Sequence, residues 1–216
     1  MIKKQNLSIS KILMLVIIAL IICVITSVLY NEFIKSDNNI PIIEEIPIVD
    51  NIESFGYILT DNKTTYYKNL FNDLKDILNK DEIDYDVYSE VITKLFISDV
   101  LNLDNKISNT DIGGVQFVYG QFKEDFINIA KSTLYNYVKS NVYNDRVQEL
   151  PIVEDVVIDS KDKKEFKYND FTFKDAYYYN VVVKYKKDLG YQKEYQIIVV
   201  KNSDRLEIAK MQANNK

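Results

Sequence analysis

The sequence predicts an α+β protein: one N-terminal transmembrane helix, then three amphipathic helices packed on a curved antiparallel sheet of four to five strands. Three observations carry this. The chain opens on an uncharged apolar run. A central stretch then places apolar residues every three or four positions, the helical period. After Pro151 the period drops to two, as in half-buried strands. Helices gathered ahead of strands in this way form a helical layer on one face of an antiparallel sheet.

The apolar run is Ile12–Tyr30, ILMLVIIALIICVITSVLY, 19 residues without a charge. At a rise of about 1.5 Å per residue it covers a hydrocarbon core of roughly 30 Å. Lys3, Lys4 and Lys11 precede it, and Glu32, Lys35 and Asp37 follow. Basic residues favour the cytoplasmic side, so residues 1–11 are expected to be a cytoplasmic tail, and everything past residue 30 to lie outside a cell membrane crossed once. A cleaved signal peptide is the first rival. Such signals have apolar cores of about 7–15 residues and a small-residue cleavage site. This run is longer, and no A-x-A follows it. A lipoprotein is the second rival, because Leu20–Cys23 loosely resembles a lipobox. There, however, Ile22 stands where a small residue is needed, and apolar residues continue beyond the cysteine.

Residues 31–52 read as a spacer. Pro41 and Pro47 interrupt any helix and push the residue before each toward extended geometry. The apolar side chains of Ile42, Ile43, Ile46 and Ile48 leave docking onto the domain open. The extracytoplasmic domain is expected over 53–212, with a short tail at 213–216. A first helix starts near Asp61 or Asn62, with Tyr67, Leu70, Phe71, Leu74, Ile77 and Leu78 on one face. A second fits Asp84–Leu101, with Asp84 and Asp86 at its positive end. A turn-rich break holds Gly113-Gly114, and a third helix fits Gln121–Val142. Strands are expected at Ile152–Ile158, Phe166–Phe173, Ala176–Lys187, Tyr191–Lys201 and Arg205–Met211. Asp188-Leu189-Gly190 and Asn202-Ser203-Asp204 are turn signals between them.

Composition excludes much chemistry. The chain has no His, one Cys and no Trp. Imidazole-based triads, HExxH sites and His-based zinc sites therefore cannot form, nor can an intrachain disulfide or a CxxC site. The three lysines of residues 1–30 are unmatched by acid. The exported part is left with 24 basic against 32 acidic residues, a net of −8. That charge argues against nucleic acid as a partner.

The residues that invite a functional reading each have a plainer one. Asp81, Glu82, Asp84 and Asp86 have the oxygens for a hard cation but lack a calcium-loop spacing, and helix capping is the ordinary role of such acids. Gly113-Gly114 has no phosphate-loop spacing and reads as a turn. Asn62-Lys63-Thr64 matches a glycosylation sequon. Arg205 opens a strand and is expected to face solvent. Tyr177, Tyr178 and Tyr179 are the candidate interaction surface: alternation sends Tyr178 one way and its neighbours the other. Tyrosine serves equally as strand core and as interface. No catalytic residue, metal or cofactor is assigned. The expected partners are the membrane through Ile12–Tyr30 and other proteins, including a second copy of this chain.

Phe71 and Leu74, Leu95 and Phe96, and Phe126 and Ala130 on the helices precede the strands Tyr177–Tyr185, Tyr195–Val200 and Arg205–Met211. In that order they resemble the nuclear transport factor-like cone fold, whose exported members include scaffold subunits of type IV secretion and conjugal-transfer machines. The resemblance covers about 150 residues and rests on element order. It implies a sheet cupping the long helices and an assembly role in an envelope secretion or transfer complex, without catalysis. The alternative it implies is a ligand-binding or enzymatic cone. Ketosteroid isomerases use a carboxylate base and an acidic oxyanion partner there, but no residue of this chain matches those roles by motif.

Overall fold

The computed structural model describes residue 18, residues 20–28 and residues 46–214 of the protein. The chain divides into two units, Met1–Ile43 and Glu44–Lys216. In the first, the described positions are helical, with exposed apolar side chains from Ile18 to Val28. The rest of the predicted span Ile12–Tyr30 lies outside the described residues, as does the cytoplasmic tail. Among the described residues no helix is long and apolar enough to cross a membrane.

The second unit is α+β. Its elements run β1 (Ile48–Ile52), β2 (Tyr57–Thr60), α1 (Thr65–Leu78), α2 (Tyr85–Leu101), α3 (Lys123–Ser132), β3 (Val153–Tyr168), β4 (Phe171–Tyr185), β5 (Glu194–Asn202) and β6 (Arg205–Ala213). Single 3-10 turns occupy Glu53–Phe55, Val115–Phe117 and Gly120–Phe122. The four long strands form one antiparallel meander in the order β3-β4-β5-β6, and β1 and β2 make a separate antiparallel ribbon.

α1 and α2 follow their sequence patterns closely. Thr64 caps α1 by accepting the Tyr67 amide, and Asp84 caps α2 by accepting those of Asp86 and Val87. α1 buries Tyr67, Leu70, Phe71, Leu74, Ile77 and Leu78, the face its spacing foretold. α2 is enclosed on nearly every side: Ser89, Thr93, Ser98 and Asp99 are buried along with its apolar residues. The hydroxyls of Ser89, Thr93 and Ser98 donate to helix carbonyls, which removes the cost of burying them. These helices cover the sheet face carrying Tyr177, Tyr179, Val181, Val183, Tyr195, Ile197 and Val199.

Four expectations are corrected. The spacer does not run to residue 52: Ile48–Ile52 pairs with β2, because Ile52 buries in the core and the ladder satisfies the main chain leading to it. The strand expected at Phe166–Phe173 is a hairpin turn. Asn169 takes a left-handed conformation there (φ 51°), so β3 and β4 form one long arm rather than three short strands. The third helix stops at Ser132, ten residues early. Ser132 and Thr133 turn their hydroxyls onto the carbonyls of Asn128 and Ile129, and Tyr135 swings into the core. Arg205 does not face solvent, as described below.

Candidate functional site

Two polar constructions and one cavity stand out. The first construction ties β2, α2 and β6 together. The hydroxyls of Tyr57 and Tyr88 lie 2.6 Å apart; Tyr57 donates to the Leu206 carbonyl (3.1 Å), and Tyr88 accepts the Leu206 amide (3.2 Å). The Arg205 guanidinium lies 4.5 Å from the centre of the Tyr57 ring and donates to the Gln116 carbonyl. Burial pushes the pKa of both phenols above the ordinary tyrosine value, so they stay neutral donors.

The second centres on Asp99, which is 5% exposed. One carboxylate oxygen meets Lys63 Nζ at 2.6 Å and Lys106 Nζ at 2.8 Å; the other accepts the Gly114 amide at 2.9 Å. Burial would raise the Asp99 carboxyl, but Lys106 and Lys63 outweigh it and hold the group well below the usual carboxylate range. The two lysines diverge. Lys106 is desolvated, yet Asp99 lifts it overall; Lys63 is desolvated more than Asp99 repays, and falls. Beside them the Tyr135 hydroxyl donates to Val100 O (2.7 Å) and accepts the Gly113 amide (3.0 Å). The glycine pair makes this possible. Gly114 has φ +74°, and a Cβ there would sit 2.5 Å from Val100 Cγ2; one on Gly113 would run into the Asp99 carbonyl. A carboxylate so fully paired is a poor proton acceptor, and the cluster works as a structural bolt.

The cavity lies between α3 and β6. It has a volume of about 440 Å³. Phe122, Phe126, Ile129, Ala130 and Leu134 line it on one side, and Ile208, Ala209, Met211 and Ala213 on the other. Phe96, Val118, Tyr168 and Tyr195 close it. Its polar groups are few: Asp125, Thr133, Lys210 and the two phenols. Ile129 is 62% exposed, so the apolar wall reaches the surface. A shell of aromatic rings holds one end rigid. Phe122 packs on Tyr168 and Phe171 with centroids 5.1 and 5.4 Å away, and Tyr119 packs on Phe171 and Phe173.

The sequence candidates sit away from this cavity. Tyr177 and Tyr179 are buried and stacked at 6.3 Å on the helix side of the sheet, and Tyr179 shares a 2.5 Å hydrogen bond with Ser89. Tyr178 is half-buried on the opposite face, with Lys164 over its ring. Asp84 is spent on its helix cap. Among the described residues no group of three or more His, Cys, Asp or Glu is placed to hold a metal ion. The cavity itself was not foreseen. A signal for it was present in the helical spacing of Phe122, Phe126, Ile129 and Ala130, which form an apolar face: ending α3 at Ser132 leaves Ile129 on that face 62% exposed.

Comparison with protein-family models, with curated proteins and with solved structures gave no match.

Proposed function

We propose that this protein is a membrane-tethered, extracytoplasmic binding domain that performs no chemistry of its own, and that the cavity between α3 and β6 is its binding element. The cavity carries the reading. It offers apolar surface open at one side, within a rigid aromatic frame, and its volume falls in the range of roughly 300–1,000 Å³ typical of ligand sites. The charge pattern around Ile12–Tyr30 supports the tether and its orientation. Helices packed on one face of an antiparallel sheet support the likeness to the cone fold, and with it a role as a scaffold in an envelope secretion or transfer complex.

The size of the cavity also favours a second reading, a pocket for an apolar small molecule. An isomerase-like chemistry in it lacks a buried base: Asp99 is bound to two lysines and does not line the cavity, and Asp125, the carboxylate that does, is exposed to solvent.

The test is photocrosslinking in intact cells from a benzoyl-phenylalanine placed at Ile129. One discrete protein adduct, lost when Ala130→Phe fills the cavity, supports the protein-binding reading. Adducts that are absent, or unchanged by the filling substitution, remove the cavity from it.

A further inference from the structure

The cavity adjoins an open strand edge. In an antiparallel ladder, successive residues address their N–H and C=O groups to opposite neighbours. The Asn214 amide donates inward to the Glu194 carbonyl at 3.0 Å, which sets the phase. Gln212 and Lys210 therefore address β5, while Met211 and Ala213 address the outside. The register shifts at Ala209, since Ile198 pairs with Lys210 and Val199 with Ile208. Past that bulge Ile208 faces outward, and its carbonyl accepts the Tyr119 amide at 2.9 Å. The chain itself thus covers the outward positions of β6 before the bulge, Leu206 through the Tyr57 and Tyr88 hydroxyls and Ile208 through a parallel bridge from Val118. Among the described residues the outward main-chain groups of Met211 and Ala213 have no partner.

Met211 and Ala213 also line the cavity. Their cross-strand neighbours Ile197 and Tyr195 belong to the helix-covered core, so all four share one face. Phe126, Ile129 and Leu134 stand across the gap. Free main-chain groups beside an apolar slot are the two requirements for strand addition: the first supply affinity, and alternate side chains entering the slot supply selectivity. Lys210 immediately precedes the first open position, Met211, and forms no ion pair among the described residues, so a carboxylate on an added strand would be its complement.

We propose that the edge of β6 at Met211 and Ala213 takes an extended peptide segment of a partner protein as a fifth strand, with apolar side chains in the cavity and an acidic residue beside Lys210. This rests on the reading of the cavity as the binding element.

The probe is a nine-residue peptide of alternating glutamate and valine, fluorescently labelled and titrated into the full-length protein in lipid nanodiscs. Saturable binding is expected, weakened about tenfold or more when alternate peptide nitrogens are methylated, because side chains then remain but main-chain bonds are lost. Met211→Pro, which deletes an amide that β5 does not use, is expected to weaken it similarly. Lys210→Glu, a surface change that leaves the fold in place, is also expected to weaken it, and the bound peptide should slow hydrogen exchange at Met211 and Ala213. Equal binding of the methylated peptide, or indifference to both variants, overturns strand addition. A concentration-dependent dimer protecting the same two amides without peptide also overturns it, placing a second copy on the edge. Neutral 1-aminoanthracene separates the two levels of the argument. If it fills the cavity and is excluded by Ala130→Phe while the peptide does not bind, strand addition fails and the cavity reading stands; if neither binds, both fail.

Discussion

At the residue scale the Asp99 cluster sets the sharpest expectations. Asp99→Ala leaves Lys63 and Lys106 buried without a counter-charge and should cost about 3–5 kcal/mol in denaturant unfolding. Lys106→Met should cost clearly less, because a neutral Lys63–Asp99 pair survives it. A cost as large as that of Asp99→Ala would mean that Lys63 contributes nothing to the pair. The depressed Asp99 carboxyl also fixes a pH dependence. The unfolded chain binds this proton at ordinary carboxylate pH and the folded chain resists it. The stability it lends is therefore complete above about pH 4 and is lost as pH falls toward the folded value. Unfolding curves from pH 7 to pH 2 should lose part of their acid slope in Asp99→Asn. Gly113→Ala should be among the most damaging small substitutions, since its methyl meets the Asp99 backbone. Little of this was legible beforehand. The glycine pair announced a turn, but Lys63 is 36 positions from Asp99, Lys106 lies in the irregular stretch past its helix, and a lone Asp within a helix looks like solvent-facing polarity. Arg205 misled for a related reason: nothing local signals that Tyr57, nearly 150 positions earlier, waits to receive it.

At the scale of elements, the segments with strong local periodicity formed where the sequence put them. α1 and α2 match within a few residues because their apolar spacing is strong; the cap of α2 is the expected Asp84, whereas α1 is capped by Thr64 rather than by Asp61 or Asn62. The failures lie where a distant contact overrides a local pattern, as when Tyr135 ends α3 to reach Val100 and Gly113. In the long connection after α3, one side chain gathers three carbonyls. Arg146 donates to the carbonyls of Lys106, Lys139 and Asp104, and its own amide reaches Asn141 Oδ1. A lysine carries the charge but not the fork, so Arg146→Lys should lose most of the three guanidinium bonds, though not the amide bond, and roughly 1–3 kcal/mol locally. Hydrogen exchange over 139–150 should quicken in that variant while β4 and β5 stay protected; unchanged exchange would show the loop is held by other contacts. The β3–β4 arm carries the opposite design. Its β3 strand runs Asp159-Ser160-Lys161-Asp162-Lys163-Lys164-Glu165 along the free margin, all exposed. Charges along such a margin discourage pairing with another chain.

At the scale of the whole molecule, the order of a charged start, an apolar run and an acidic remainder predicts a domain held outside the cell membrane. Protease added to intact spheroplasts should digest residues beyond 44 and spare the N-terminal tail; full protection would reverse the orientation. The two margins of the large sheet are unlike. β3 is lined with charge, and β6 is sheathed at Ile208 and bare at Met211 and Ala213. A sheet with one blunt border and one receptive border can be joined once and no further. Each molecule can close a contact but cannot pass it on, so it would terminate an assembly rather than seed a fibre.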